Sequence, residues 1–455
     1  MLAMTRVRLA LLSLIASMLF IGSTSPAQAT TTVGSGACAA TVDASAGVSS
    51  FSSGNKCFIT FSSVDTHTWT APSSVTNISL FIIAGGGAGG AGAWGGGGGA
   101  GGLVYDSSYS VTPGSSYSLV VGRGGTVGGQ NLTPTTNRSN NGTNSWFNLS
   151  SFAAIGGGAG ASYAYGDNTQ INGQNTADGS PGGSGGGATE NSKTGNTYGG
   201  VGGTSSQAIP TGADLALGNS GGTTLNAGSN MSGGGGGGAG GVGASNTTSQ
   251  VAGAGGVGAT YTNLSIIDTI GAVTSFGQLY NTHYYFAGGG GGGSAGTKGA
   301  GGYGGGGAGG DPSNTYTGQN GAANTGGGGG GASYSSGCYP AGAGGSGLVV
   351  IIYSGIITTS VSAAFYSGSG SGIYRSVDTI TATLTGTDAK VTFLADGKAI
   401  PGCKSIMSSG LIARCPWKPA GHRTIQITVQ VIAGVSSTAS STSAAIRVLQ
   451  RSGTR

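Results

Sequence analysis

Charge is what this sequence has least of. Its 17 lysines and arginines and 12 acids make up 6% of 455 residues and leave a net charge of +5. The basic residues form no cluster, so the concentrated footprint that a nucleic-acid backbone requires is missing, and no nucleic-acid partner is expected. Histidine is scarcer, with His67, His283 and His422 dispersed. No close Asp/Glu pair suggests general acid–base work, and no Cys-x-x-Cys or Cys/His pair has metal-ligand spacing. Catalytic, cofactor and metal sites are therefore not expected, and neither is an enzyme. With 11 prolines and no Gly-X-Y period, collagen is excluded. Beyond the first 29 residues no apolar run approaches the ~20 residues of a membrane helix, so no transmembrane span is expected in the mature chain.

The first 29 residues read as a secretory signal. Arg6 and Arg8 form a basic start, residues 9–21 an apolar core, and Ala27-Gln28-Ala29 the small residues of a cleavage site. Export is expected, with the product secreted or held at the cell surface. Five cysteines fit an oxidising compartment. Cys38 with Cys57, and Cys403 with Cys415, suggest two local disulfides, leaving Cys338 as a free thiol in a glycine loop.

What the chain has in excess is glycine, 102 of its residues against an ordinary share of about 7%. It comes in runs, at 85–102, 156–160, 182–187, 233–243, 288–310 and 326–331, interrupted mainly by alanine. Between them lie short apolar segments. Residues 78–84 (ISLFIIA) and 348–353 (LVVIIY) show so little alternation that each is expected to be a strand buried on both faces, and the two to be neighbours in one sheet. Pro113-Gly114 predicts a hairpin joining 109–111 to 117–121. Further frame strands are expected near 57–61, 103–121 and 146–155.

A glycine run has no side chains to bury and loses the most backbone entropy on folding, so order requires its amides to pair with neighbours. A left-handed helix with three residues per turn and no internal hydrogen bonds allows this. Bare Cα positions would let such helices pack closely. The alternative is a set of flexible linkers. The flanking strands, and the dominance of Gly and Ala over Ser, Lys and Glu, favour packing.

Trp69-Thr70-Ala71-Pro72…Ile78…Phe81-Ile82-Ile83-Ala84-Gly85-Gly86-Gly87 resembles the opening of the bacterial and phage glycine-rich domain family. Gly101-Gly102-Leu103-Val104-Tyr105…Val111-Thr112-Pro113-Gly114…Tyr117-Ser118-Leu119-Val120-Val121-Gly122 and Gly344-Gly345-Ser346-Gly347-Leu348-Val349-Val350-Ile351-Ile352-Tyr353 resemble its later motifs, in order. The resemblance spans about 57–353. It implies an all-β fold, a jelly-roll-like frame with packed polyglycine II-type helices, and partner binding by loops at the helix ends. Residues 356–449 differ in kind: glycine falls, short strands follow one another, and Asp396-Gly397 marks a hairpin. This stretch resembles the Ig-like repeats of bacterial surface proteins, in whose pattern Cys403 and Cys415 are bonded. The expected organisation is a signal peptide (1–29), a glycine-rich β domain (30–355), an Ig-like β-sandwich (356–449) and a tail (450–455).

Gly-x-Gly-x-x-Gly matches are inevitable in this composition, and none sits in a βαβ unit. Gly182-Gly183-Ser184-Gly185-Gly186 fits Gly-x-Ser-x-Gly but lacks the flanking strand and helix. The informative residues are the aromatics that decorate the glycine excursions. Trp94, Tyr163, Tyr165, Tyr284 and Tyr285 are the expected ligand-facing set, because Tyr, Asn, Ser and Gly are the palette of rigid binding surfaces. Some of them are expected instead to cap the glycine layer. The expected function is a non-catalytic, secreted, adhesion-type surface protein whose ligand is a carbohydrate or a protein. A structural extracellular matrix or sheath protein without a discrete ligand is the alternative.

Overall fold

Segments without polar alternation need apolar neighbours on both sides, and the two apolar runs find them by pairing with each other. In the computed structural model the described residues are 29–35, 38–73, 75–128, 138–162, 170–171, 174–175, 177–193, 196–225, 231–313, 316–334, 339–355, 359–362, 371–373, 377–384, 390–409, 412–421, 423–432 and 440–449. Strands β1 (Thr30–Val33), β2 (Ala40–Asp43), β3 (Val48–Ser53), β4 (Lys56–Phe61), β5 (Thr66–Thr70), β6 (Asn77–Ile83), β7 (Leu103–Ser110), β8 (Ser116–Val120), β9 (Ser145–Phe147) and β10 (Leu149–Ala154) come first. Two short hairpins follow, β11 (Gln170–Ile171) with β12 (Gln174–Asn175) and β13 (Glu190–Lys193) with β14 (Asn196–Gly199), then β15 (Leu215–Leu217). A nine-residue helix, α1 (Ile266–Thr274), precedes the hairpin of β16 (Gln278–Tyr280) and β17 (His283–Tyr285). Strand β18 (Leu348–Ser354) closes the frame.

These strands make two six-stranded sheets, ordered β1-β2-β5-β8-β9-β10 and β15-β7-β6-β18-β4-β3. Strand β18 pairs antiparallel with β6, from Leu348↔Ile83 to Ile352↔Ser79. One face of the second sheet presents Leu80, Ile82, Val349 and Ile351 to Trp69, Leu119 and Phe147 of the first. The other face presents Phe81, Ile83, Leu348, Val350 and Ile352 to Phe286 and to Ile267 and Ile270 of α1. Cys38 and Cys57 are bonded, tying the approach to β2 to β4.

The expected β7–β8 hairpin does not form. Strand β7 pairs with β6, and β8 with β5 and β9. Gly114, at φ +75°, donates to the Ala71 carbonyl, and the turn carries the chain from one sheet to the other. A Pro-Gly turn sets the local reversal, but the partner of each strand is decided by which sheet buries its apolar face. Helix α1 is a second departure. Its Ile- and Val-containing sequence has modest helix propensity, and the helix forms where Ile267 and Ile270 pack under the second sheet.

Among the described residues, the core between the sheets contains two buried polar atoms without a hydrogen-bond partner, Trp69 Nε1 and Tyr353 Oη, on rings 6.1 Å apart. Burial pushes the Tyr353 hydroxyl up to about 12 from an ordinary 10.0. A raised folded-state value means that the stability contributed is complete below pH 10 and is lost as pH climbs through 12. At about 1.4 kcal/mol per pH unit the loss is roughly 2–3 kcal/mol. Tyr353→Phe is expected to remove that alkaline loss and to raise stability at neutral pH by about 1 kcal/mol, because a stranded hydroxyl is no longer buried. Urea unfolding of both proteins at pH 7 and pH 11 checks this.

The glycine tracts form neither α-helix nor β-strand. Their amides pair outward with a period of three. Gly85 and Ala88 donate to Thr143 and Asn140, Gly86 and Gly89 to Gly345 and Gly342, and Gly87 and Gly90 to Gly99 and Gly96. In the next tract Gly95, Gly98 and Gly101 donate to Ala332, Gly329 and Gly326, while Gly96, Gly99 and Gly102 donate to Ala161, Gly158 and Ile155. The third set, Gly97 and Ala100, donates to Gly234 and Gly237. Each of these two tracts thus donates to three neighbours, some parallel and some antiparallel, while its carbonyls accept from others. Contacts are too close for side chains: a Cβ on Gly97 would lie 2.0 Å from the Gly290 carbonyl oxygen.

Farther along, β19 (Thr359–Ser362), β20 (Ser371–Ile373), β21 (Asp378–Leu384), β22 (Lys390–Ala395), β23 (Lys398–Ala399), β24 (Ile406–Met407), β25 (Ile412–Trp417), β26 (Thr424–Ile432) and β27 (Ser440–Leu449) form two more sheets, β19-β21-β25 and β20-β27-β26-β22-β23, with β24 beside β22. Their core includes Ile380, Val391, Phe393, Ile427 and Val429, with the Cys403–Cys415 disulfide. The Asp396-Gly397 hairpin forms, with both residues at positive φ and Leu394 opposite Ala399. The amide of Gln426, and then Arg423, hold the Asp396 carboxyl below its ordinary range.

Candidate functional site

Outside the core between the sheets, the aromatic contacts of the described residues gather in two groups. The first surrounds the turn between tracts 85–91 and 95–102, where Gly92 (φ +97°) and Trp94 (φ +45°) reverse the chain. Trp94 lies edge-on to Tyr334, ring centres 5.6 Å apart, and its carbonyl accepts from Thr189 Oγ1 at 2.7 Å. Gly92 bridges to Tyr339, whose ring stacks on Tyr316 at 4.9 Å.

The second group stands on α1 and the β16–β17 hairpin, beside the sheets. Asp268 of α1 accepts the Tyr284 amide at 2.8 Å and pairs with His283 Nδ1 at 2.7 Å, fastening hairpin to helix. The Tyr284 ring lies on bare Gly271, where a Cβ would come within 2.1 Å of the ring. That explains a glycine inside a helix and directs Tyr284 into the core with Phe286. Gln278 Oε1 accepts the amides of Gly304 and Gly305 at 2.8 and 3.0 Å, pinning the loop after Tyr303 to the hairpin.

The result is an aromatic surface in two parts. Tyr280 and Tyr303 stack at 3.9 Å with 18° between their planes, and Tyr285 stands 5.8 Å from Tyr303. Tyr261 stacks on His283, also at 3.9 Å. Tyr261, Tyr280 and Tyr303 are exposed by 44%, 38% and 37%, and Leu279 by 59%. The neighbouring Tyr280 hydroxyl, which favours the protonated form, then burial and the nearby tyrosines, raise the Tyr303 hydroxyl above its ordinary value.

Of the expected ligand-facing residues, Trp94 lies in the first group and Tyr285 and Tyr284 in the second, the latter facing inward. Tyr163 and Tyr165 lie outside the described residues, as do Cys338 and His422. Tyr261, His283 and Tyr339 were not anticipated. Tyr261 and His283 lie 22 residues apart with a helix between them, and no sequence spacing signals their stacking.

His67 is fully buried in β5. Its Nδ1 meets Asp43 Oδ2 at 3.2 Å, its Nε2–H donates to the Ser63 carbonyl at 2.9 Å, and Asp43 Oδ1 accepts the Thr68 amide at 2.9 Å. Ser63 Oγ is 3.3 Å from Nε2 but donates to the Ala46 carbonyl, so the imidazole is committed to tying the end of β2 to the β4–β5 loop. Among the described residues no group of three or more His, Cys, Asp or Glu is placed to hold a metal ion. No helix of the described residues is long and apolar enough to cross a membrane.

A family model for the glycine-rich domain matches residues 60–354. The match takes in the two-sheet frame from the end of β4 to β18 together with every glycine tract, and the chain belongs to the glycine-rich domain family. No curated protein matches the chain.

Proposed function

We propose that this chain is a non-catalytic binding protein of the bacterial cell surface, exported and of adhesion type, which displays a rigid glycine-rich domain to a carbohydrate or protein ligand. The observation that carries the reading is the exposed surface of Tyr261, Tyr280 and Tyr303 with the half-buried His283 and Tyr285 beside them, held by Asp268 and Gln278 on elements packed against the core. Rigid aromatics of this kind provide contact area at low entropic cost. The three-residue period of the tract bonds supports polyglycine II-type helices as the rigid support. The two C-terminal sheets, with a disulfide in their core, support an Ig-like module as spacer or attachment. The two disulfides fit export to an oxidising compartment.

The matrix alternative requires the glycine layer to grow between molecules. The outer tracts argue against growth. Val251, Ala254 and Val257, and beside them Thr297, Ala300 and Tyr303, are exposed at every third position and carry side chains. These keep a further helix from approaching as closely as the interior tracts do. The purified chain is expected to bind cells or a glycan array saturably, and Tyr280→Ala with Tyr285→Ala to weaken binding at least ~10-fold, the scale of a lost aromatic contact. Unchanged binding in that variant, or concentration-dependent filaments without ligand, would contradict the proposal.

A further inference from the structure

Tyr280 and Tyr303 do something no other described tyrosine pair does: they combine close, near-parallel stacking with exposure of both rings. The centres are 3.9 Å apart with planes at 18°, and exposure is 38% and 37%. The backbones that carry them are held independently of the rings. Tyr280 is fixed by the β16–β17 pairing. The chain around Tyr303 is fixed by its carbonyl accepting from the Gly258 amide at 2.7 Å and by the next two amides bonding Gln278. The pair is thus presented together to any oxidant that reaches the surface.

We propose that Tyr280 and Tyr303 are the site of an oxidative dityrosine cross-link that fastens the β16–β17 hairpin to the glycine layer. The oxidant is of the haem peroxidase and hydrogen peroxide class. Each phenol gives up one electron and its hydroxyl proton. The two phenoxyl radicals join through ring carbons adjacent to their oxygens, and the hydrogens displaced from those carbons move to the oxygens, restoring both phenols. Two electrons and two protons leave in all, and one hydrogen peroxide takes them up to become two waters. Tyr285, 5.8 Å from Tyr303 and 6.4 Å from Tyr280, lies near enough to pass an electron to the pair without displacing either partner. The product is a covalent staple in the same oxidising compartment as the two disulfides.

The test treats the full chain, dilute enough to disfavour contacts between molecules, with a haem peroxidase and hydrogen peroxide, followed by peptide mass spectrometry. One intrachain link is expected, between the peptides bearing Tyr280 and Tyr303, with loss of two hydrogens per chain. Tyr280→Phe should abolish it, and Tyr261→Phe should leave it unchanged. The stacked pair Tyr316 and Tyr339, wider at 4.9 Å and 29°, is the internal comparison. A link formed there first, a spread over many tyrosines, or links only between chains would overturn the proposal.

Discussion

Gly97→Ala is expected to destabilise the glycine-rich domain by at least ~3 kcal/mol, the upper range for forcing atoms into a packed interior, with a broken hydrogen bond added. Its new Cβ would lie 2.0 Å from the Gly290 carbonyl oxygen, 2.5 Å from the Gly290 carbonyl carbon and 2.9 Å from the Gly236 nitrogen. All three are backbone atoms of neighbouring tracts, so no rotamer change relieves the clash. The tracts must separate, and the Gly97 bond to Gly234 goes with them. Gly421→Ala, where the nearest atoms are 3.9 and 4.0 Å away on a flexible arginine, should change stability by no more than about 0.5 kcal/mol. Denaturant unfolding of the two variants beside the parent checks both values. A linker glycine would tolerate alanine equally well at either position.

Phe286→Ala is expected to cost about 3–5 kcal/mol, the range for truncating a fully buried phenylalanine. Phe286 has no exposed surface. It meets Phe81 edge-to-face at 5.4 Å, and its backbone pairs with Ala259 immediately before the tract that starts at Gly288. It is the side chain that seats the glycine layer on the second sheet. Its loss should therefore raise amide exchange in tracts 288–293 and 253–258 more than in β21 and β25, whose core is separate. Equal effects on both regions in exchange-coupled mass spectrometry would show that the seat lies elsewhere.

What could be read from the sequence was the part governed by local periodicity. Residues 78–84 and 348–353 lack alternation because both faces of their sheet are covered, and that burial also makes them neighbours. Asp396-Gly397 turns as its backbone preferences require. The identities of the partners across the fold were less accessible. Thr112-Pro113-Gly114 encodes a reversal but not that the reversal changes sheets. The segment 264–270 reads only as a short apolar piece, and the underside of the second sheet makes a helix of residues 266–274. A glycine run declares that it must pair, yet carries no side chain to say with which of the other runs. Trp94 and the Tyr284-Tyr285 pair looked alike as decorations of glycine. The fold places them in separate clusters and turns Tyr284 inward onto Gly271, a contact set by a helix that sequence periodicity did not reveal.

The account rests on glycine tracts held in place by their own amides, and amide hydrogen exchange of the intact chain tests that most directly. The amides of Gly97–Gly99, Gly234–Gly237, Gly290–Gly292 and Gly328–Gly331 all donate to backbone carbonyls of other segments. They should exchange as slowly as those of β6 and β18, because opening any one requires opening the packed array. Exchange at the rate of an unstructured glycine peptide throughout those tracts, with β6 and β18 still protected, would contradict it.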